Sequence, residues 1–124
     1  MLGGSRIVAF VPTQDPARSR AFYEQILGLR FVGEDHFALV FDAEGIMLRV
    51  TTVPEFNPTQ FTILGWEVPD VEKAVSAMES RGVVFQKYGL PDQNAQGIWS
   101  APSGARVAWF KDPDGNTLAL FQPE

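Results

Sequence analysis

The chain contains the same strand–turn–strand pattern twice, and this repeat restricts its fold more than any other feature. One copy covers residues 38–50 and the other covers residues 108–120, so the copies lie 70 positions apart. Each copy places two apolar stretches on either side of a turn glycine, Gly45 in the first and Gly115 in the second. Because a repeated supersecondary unit needs a neighbour to bury its apolar face, we expect two similar modules with a cavity between them.

Composition excludes several classes of function. The chain has 124 residues, 45% of them hydrophobic, which suits one domain with a substantial core. It has no cysteine, which excludes disulfides, thiol nucleophiles and cysteine-ligated metals. A net charge of −5 without a basic run argues against nucleic acid as a partner. No apolar run is long enough to cross a bilayer, and the N-terminus lacks the regions of a secretory signal, so we expect a cytoplasmic protein with no membrane partner.

The first half of the chain has signals for one helix and four strands. Asp15 and Pro16 suit the N-cap and first position of a helix, and Gly28 suits its end. We assign a first module to residues 5–53, followed by a Pro-containing linker at 54–60. Its strands are expected at residues 7–11, 29–33, 36–41 and 46–52.

The second half, residues 61–122, repeats this order. A helix is predicted to start at Pro69-Asp70 and to end at Gly82. Residues 89–104 form a long loop rich in Pro, Gly, Gln and Asn, with a short strand near Ile98. The main strands are expected at residues 61–68, 83–88, 105–111 and 116–122. The order βαβββ therefore occurs twice and indicates an α+β fold.

Three stretches resemble the vicinal oxygen chelate superfamily, the group of glyoxalases, bleomycin resistance proteins and extradiol dioxygenases. They are residues 11–29 with Phe22-Tyr23 and the Leu-Gly-Leu end, residues 66–71, and residues 107–116 with Asp-Pro-Asp-Gly-Asn. The resemblance covers nearly the whole chain. It implies a single domain of two βαβββ modules that form a curved eight-stranded mixed sheet, with helices on the outer face and a cavity on the concave face. It also implies a homodimer.

The resemblance further implies where a metal would be held. Metal-dependent members place a ligand on the first and last strand of each module, and the last-strand ligand follows the turn glycine by four positions. These positions hold Arg49 and Ala119, and the first-strand positions hold Arg6 and Ile63. Arginine is a permanent cation and the other two side chains are apolar, so none suits a divalent metal. We therefore predict no cofactor. A divalent metal on displaced ligands such as Glu67, His36 and Gln122 stays an open alternative.

Charged residues of the cavity strands allow two interpretations each. Arg6 and Arg49 could hold an anionic group of a ligand, or they could pair with Glu67 or another carboxylate. Glu67 could be a catalytic acid or base in an apolar cavity, or the partner of an arginine. The single histidine, His36, stands beside a turn and is expected to be solvated.

Aromatic residues are concentrated in the second half. Each is expected in the core by default, and Trp99, in the long loop, is the best exception. The predicted ligand-binding aromatics are Trp66, Trp99, Trp109 and Phe121.

The function predicted from these observations is the binding of a small amphipathic or anionic molecule between the two modules, without the usual metal site. One alternative is a metal-dependent lyase or dioxygenase with displaced ligands. Another is a metal-free acid/base enzyme that uses Glu67, and a third is an interaction module. If the protein is an enzyme, we expect a glyoxalase-like lyase or a dioxygenase.

Overall fold

The computed structural model describes residues 1–124, which form two compact units, Met1–Asn57 and Pro58–Glu124. The boundary between the units lies inside the segment expected to be the linker. Each unit contains a four-stranded mixed sheet with a helix packed on it, which confirms the predicted α+β class. Neither helix has the length and apolar content needed to cross a bilayer.

The first unit is a βαβββ module. Its sheet has the order β1-β4-β3-β2, with β1 parallel to β4 and the other pairs antiparallel. Helix α1 packs on β3 and β4. The helix spans Pro16–Arg20 and continues into a π-helical segment, Ala21–Ile26. The strands are β1 Val8–Thr13, β2 Arg30–Glu34, β3 Ala38–Ala43 and β4 Ile46–Thr52.

The predicted helix signals act as expected. Asp15 caps α1 by accepting the backbone N–H of Arg18 at 3.1 Å, and Pro16 occupies the first turn. Gly28 follows the helical segment with φ +76°, a conformation that glycine adopts without steric cost. Tyr23 of the helical segment and Phe41 of β3 are fully buried, with ring centroids 5.9 Å apart, and they form the centre of this unit's core.

The second unit repeats the module, but its edge strand, β6, is only three residues long and comes late in the sequence. Its sheet has the order β5-β8-β7-β6, with β5 parallel to β8 and the other pairs antiparallel. Helix α2, Val71–Glu79, is capped by Asp70 and packs on β7 and β8. The strands are β5 Thr62–Glu67, β6 Ile98–Ser100, β7 Arg106–Lys111 and β8 Thr117–Gln122.

The strand expected at residues 83–88 is wrong. Only an isolated bridge joins Phe85 to Phe110 there, and β6 takes the edge position beside β7. Past Gln86, the backbone makes its hydrogen bonds with the side chain of Gln93 instead of with β7. A side chain that bonds to the main chain in this way competes with the sheet ladder.

The Asp-Pro-Asp-Gly-Asn segment makes the turn between β7 and β8. The Asp112 carboxylate accepts the backbone N–H groups of Asp114 and Asn116 at 3.0 and 2.9 Å, and the side-chain amide of Asn116 at 2.8 Å. Gly115 has φ +88° and donates its N–H to the Asp112 carbonyl at 3.0 Å. These hydrogen bonds give Asp112, Gly115 and Asn116 a structural role in the turn.

Candidate functional site

A cavity of about 330 Å³ opens beside the sheet of the second unit. Its walls come from the start of β5, the middle of β7, the start of β8 and the segment that follows Phe85. The cavity volume is near the lower end of the roughly 300–1,000 Å³ found for ligand pockets, which favours a small ligand. The lining residues are Gln60, Phe61, Thr62, Tyr88, Leu90, Trp109 and Thr117.

Trp109 is the central aromatic residue of the site. Its ring lies 5.5 Å from Tyr88 at an interplanar angle of 65°, and 6.1 Å from Trp99 at 35°. Its indole Nε1–H donates to the Thr62 hydroxyl at 3.0 Å, which fixes the orientation of the ring. In the sheet, Trp109 is paired with Ala119, whose small side chain leaves space beside the ring. The result is an apolar surface with one oriented polar edge.

The sheet of the second unit has two faces, and only one of them carries this site. Residues paired across neighbouring strands share a face. Arg106 forms a 2.9 Å ion pair with Glu72 of α2, so its side of β7 is the helix face. Trp109 and Val107 alternate with it and lie on the other side, which we call the open face. Trp99 and Phe121 are both paired with Val107 and therefore also lie on the open face.

Trp66 lies on the helix face, opposite the other predicted aromatics. It is paired with the buried Leu120, and its ring stacks on Phe110 with centroids 6.3 Å apart and an angle of 26°. This placement corrects the grouping of Trp66 with Trp99, Trp109 and Phe121. Regular alternation from Gly65 to Glu67 gives the same result, since Trp66 stands between two open-face residues.

A β-bulge between Thr62 and Leu64 explains why Thr62 was missed as a cavity residue. Simple alternation from Gly65 places Ile63 on the open face, whereas the extra residue puts Thr62 there, opposite Thr117. Tyr88 and Leu90 were also missed. Tyr88 was expected to end a strand at residues 83–88, and Leu90 was expected in the long loop at residues 89–104. A threonine near the start of a strand, or an aromatic residue next to a long loop, is a weak signal in a single sequence.

Glu67 is exposed on the open face at the end of β5, paired with Phe121. It forms no ion pair with an arginine, and it does not line the cavity. Gln122, proposed with it as a displaced metal ligand, is one position along from Phe121 and lies on the helix face. Its side-chain carbonyl accepts the N–H of Val71, at the start of α2, at 2.8 Å.

Arg49 pairs with a carboxylate, as one of the two interpretations expects, and this carboxylate belongs to Asp35 and not to Glu67. Its guanidinium donates to the Asp35 carboxylate at 2.7 Å. The other oxygen of Asp35 accepts the backbone N–H groups of Phe37 and Ala38, each at 2.9 Å. The hydrogen bond from Arg49 and those from the backbone lower the pKa of Asp35 from 3.8 to about 2. Arg49 is therefore held by the turn between β2 and β3.

The remaining predicted residues do not form a site with Arg49. Arg6 is exposed and precedes the first residue of β1. His36 is exposed in the turn, with its ring 6.1 Å from Phe37 in an edge arrangement.

The metal of the metal-dependent relatives does not fit the residues present. Arg6 and Arg49 are cations, one exposed and one already paired with a carboxylate, and Ile63 and Ala119 have no donor atom. No group of three or more His, Cys, Asp or Glu side chains comes together to hold an ion.

The sequence model of the Glyoxalase/Bleomycin resistance protein/Dioxygenase superfamily matches residues 6–120, and the chain belongs to this superfamily. No curated protein matches the chain in sequence. Among solved structures, TnmS3, an antibiotic binding protein from Streptomyces sp. CB03234, is 24% identical over 100% of this chain and 99% of that chain, with a TM-score of 0.76.

Two further structures have the same fold. The bleomycin resistance determinant encoded on the transposon Tn5 is 23% identical over 97% of this chain and 98% of that chain, with a TM-score of 0.74. Lactoylglutathione lyase from Agrobacterium tumefaciens is 16% identical over 96% of this chain and 93% of that chain, with a TM-score of 0.74. At these identities the likeness concerns the fold, which binding proteins and an enzyme share.

Proposed function

We propose that the protein binds a small, uncharged, amphipathic aromatic molecule in the cavity beside Trp109, without metal chemistry. The observation that carries this proposal is the set of three aromatic rings, Tyr88, Trp109 and Trp99, next to an apolar cavity. A flat ligand that covers the Trp109 ring removes apolar surface from water and gains an aromatic contact.

The polar wall of the cavity favours a hydrogen-bonding group on one edge of the ligand. The Thr62 oxygen accepts from Trp109, so its own hydrogen can be donated to a ligand acceptor. The Gln60 amide provides a further donor and acceptor nearby. These groups suit an amphipathic molecule better than a pure hydrocarbon.

The charges around the cavity favour a neutral ligand over the anionic one also considered from the sequence. None of the seven lining residues is charged. Glu67 and Lys111 lie on the same open face, but neither lines the cavity. The guanidinium of Arg49 is engaged by Asp35, and the net charge of −5 disfavours the approach of anions.

The relatives support binding as a function. TnmS3 is described as an antibiotic binding protein and the Tn5 protein as a bleomycin resistance determinant. The residues at the expected metal positions depart from those that a metal-dependent lyase requires. A binding role therefore agrees with both the fold and the cavity chemistry.

The test is a fluorescence titration with N-phenyl-1-naphthylamine, an uncharged amphipathic probe. We expect saturable binding that Trp109→Leu weakens by about 30-fold, because about 2 kcal/mol of apolar and aromatic contact is lost. Trp66→Leu is the matched control, since it removes the same ring from the helix face. If both substitutions change the affinity equally, the cavity beside Trp109 is not the binding site.

The charge of the ligand is tested with a second probe, 8-anilino-1-naphthalenesulfonate, which adds one sulfonate to the same ring system. We expect it to bind more weakly than the uncharged probe at low ionic strength. Tighter binding of the sulfonate, reduced by Arg49→Met, would favour the anionic ligand and a role for the arginine.

We also propose a homodimer. Strands β1 and β2 are the edges of the first sheet, and exposed edges are usually covered in native proteins. Phe10 of β1 is 65% exposed, which adds an apolar side chain to that edge. Gel filtration with light scattering at micromolar concentration is expected to give twice the chain mass of 13.7 kDa, and a monomer would refute the dimer.

A further inference from the structure

The side chain of Gln93 is fully engaged with the main chain of the second unit. It is half-buried, and its carbonyl accepts the backbone N–H of Tyr88 at 2.8 Å. Its two amide hydrogens are donated to the carbonyls of Gln86 and Gly97, each at 2.9 Å. One side chain therefore joins the segments around Gln86 and Gly97, which form no β-ladder with each other.

The backbone of Gln93 also contacts Trp99, another of the three aromatic residues of the site. It forms an isolated antiparallel bridge with Trp99, and the neighbouring Asp92 carbonyl accepts the N–H of Ser100 at 3.1 Å. Gln93 thus contacts the main chain of Tyr88 and pairs with that of Trp99. These are the two residues whose rings pack on Trp109.

Apart from the Gln93 side chain, the Tyr88–Leu90 segment, one wall of the cavity, is held by the Leu90 carbonyl, which accepts the Gln93 backbone N–H at 3.1 Å, and by the Tyr88 ring against Trp109. Tyr88 is 47% exposed and Leu90 is 36% exposed, so burial contributes only part of what fixes them. Gly89 between them has φ +70°, and a glycine restricts its backbone less than any other residue does. Local stability in such a segment depends on its hydrogen bonds.

Gly97, on the other segment bonded by Gln93, allows the close approach that these hydrogen bonds need. It has φ +87°, and a Cβ at this position would come within 3.1 Å of the Gln86 carbonyl oxygen. The absence of a side chain lets residues 86 and 97 approach closely enough for one amide to bond to both carbonyls. The glycine and the glutamine therefore serve one local geometry.

We propose that Gln93 is the positioning residue of the ligand cavity, holding the Tyr88–Leu90 wall at its distance from Trp109. The expected effect on ligand affinity rests on the proposed function, whereas the position of the wall can be measured without a ligand. A wall that is already in place when the ligand arrives loses less conformational freedom on binding, so the affinity is higher.

The variant Gln93→Met keeps the size and flexibility of the side chain and removes all three hydrogen bonds. Gln96→Met is the matched control, because Gln96 lies in the same loop and its hydrogen bond, to the Asn94 side chain, comes from its backbone N–H, which the substitution keeps. Amide hydrogen exchange of the ligand-free protein should show the Tyr88 N–H exchanging at least about tenfold faster in Gln93→Met and unchanged in Gln96→Met.

The consequence for binding is measured with N-phenyl-1-naphthylamine. We expect Gln93→Met to raise the Kd by about five- to tenfold and Gln96→Met by less than about twofold. In a Tyr88→Ala background the effect of Gln93→Met on the Kd should largely disappear, because it acts through the wall that Tyr88 forms. A purely structural role would leave the effect the same in both backgrounds.

The possible results separate this inference from the function. Unchanged exchange at Tyr88 in Gln93→Met overturns the positioning role, whatever the probe does. Faster exchange together with an unchanged Kd overturns it as a determinant of affinity. Faster exchange in a protein that binds no probe in any form supports the positioning of the wall and refutes the proposed ligand class.

Discussion

Removal of the Asp112 carboxylate is predicted to destabilise the second unit strongly. Asp112 is 5% exposed, and its two oxygens accept the N–H groups of Asp114 and Asn116 and the side-chain amide of Asn116. In Asp112→Ala these three donors lose that acceptor, and those of Asn116 are buried. A buried donor that loses its partner is not compensated by water.

The magnitude follows from the number and kind of these bonds. A hydrogen bond to a charged group contributes about 1.5–3 kcal/mol, but bonds that share one carboxylate are not additive. We therefore expect a loss of about 3–4 kcal/mol for Asp112→Ala. Asp112→Asn keeps an oxygen for the two backbone donors and loses the charge, so we expect about 1–2 kcal/mol.

Urea unfolding followed by tryptophan fluorescence measures this loss in the relevant unit, since Trp66, Trp99 and Trp109 all lie within Pro58–Glu124. The midpoint of thermal unfolding should fall by about 10–15 °C in Asp112→Ala. Asp92→Ala is the control, because it removes one carboxylate from an exposed position. If the two alanine variants differ by less than about 1 kcal/mol, the carboxylate does not hold this turn.

Three further outcomes follow from the structure. The pKa of Asp35 is about 2 in the folded protein and 3.8 ordinarily, so the unfolded chain binds the proton first as the pH falls. The stability that the Asp35–Arg49 pair contributes is therefore present above about pH 4 and is lost towards pH 2. The difference in urea midpoint between wild type and Arg49→Met should shrink over that range, and a constant difference would contradict the pairing. Gly115→Ala should cost about 1–3 kcal/mol because its φ is +88° and an added Cβ would lie 3.2 Å from Pro58 Cγ. Gly33→Ala, with open space around its Cβ position, should be near neutral by thermal unfolding, and equal costs would refute both causes. Phe41→Ala should cost about 3–5 kcal/mol of unfolding free energy, because a fully buried ring is removed, and a loss below about 1 kcal/mol would show that the core collapses around it.

The sequence predicts the elements whose signals are local. Asp15 and Asp70 cap the two helices as expected, because an N-cap is defined by a few neighbouring residues. The strand expected at residues 46–52 is observed with the same limits. The repeated turn was visible because Gly45 and Gly115 both need positive φ.

The elements that depend on distant partners were not predictable. The apolar run at residues 83–88 has the composition of a strand, but the amide of Gln93 takes up its backbone groups. Trp66 was grouped with the ligand-binding aromatics by residue type, although alternation with Gly65 and Glu67 already places it on the opposite face, and the pattern gives no sign of the bulge at Ile63. The choice of Asp35 over Glu67 as the partner of Arg49 depends on how a turn folds over the sheet, which spacing along the chain does not encode.

The candidate site was predictable in part for the same reason. Trp99 and Trp109 were identified by type and position, and the structure brings them together. Tyr88, Leu90 and Thr62 reach the cavity only because a loop is tied back and a strand has an extra residue. Sites assembled by such long-range contacts appear in a sequence as scattered, ordinary residues.

The parallel pairing of the first and last strands in each unit has a consequence for synthesis on the ribosome. Strand β1 bonds only to β4, and β5 bonds only to β8, so the first strand of each unit has no sheet partner until the last one has emerged. Such distant pairings slow folding, since the intervening chain must be ordered first. We therefore expect an unfinished unit to expose its first strand to chaperones, and the N-terminal unit to complete its sheet while the other is still being translated.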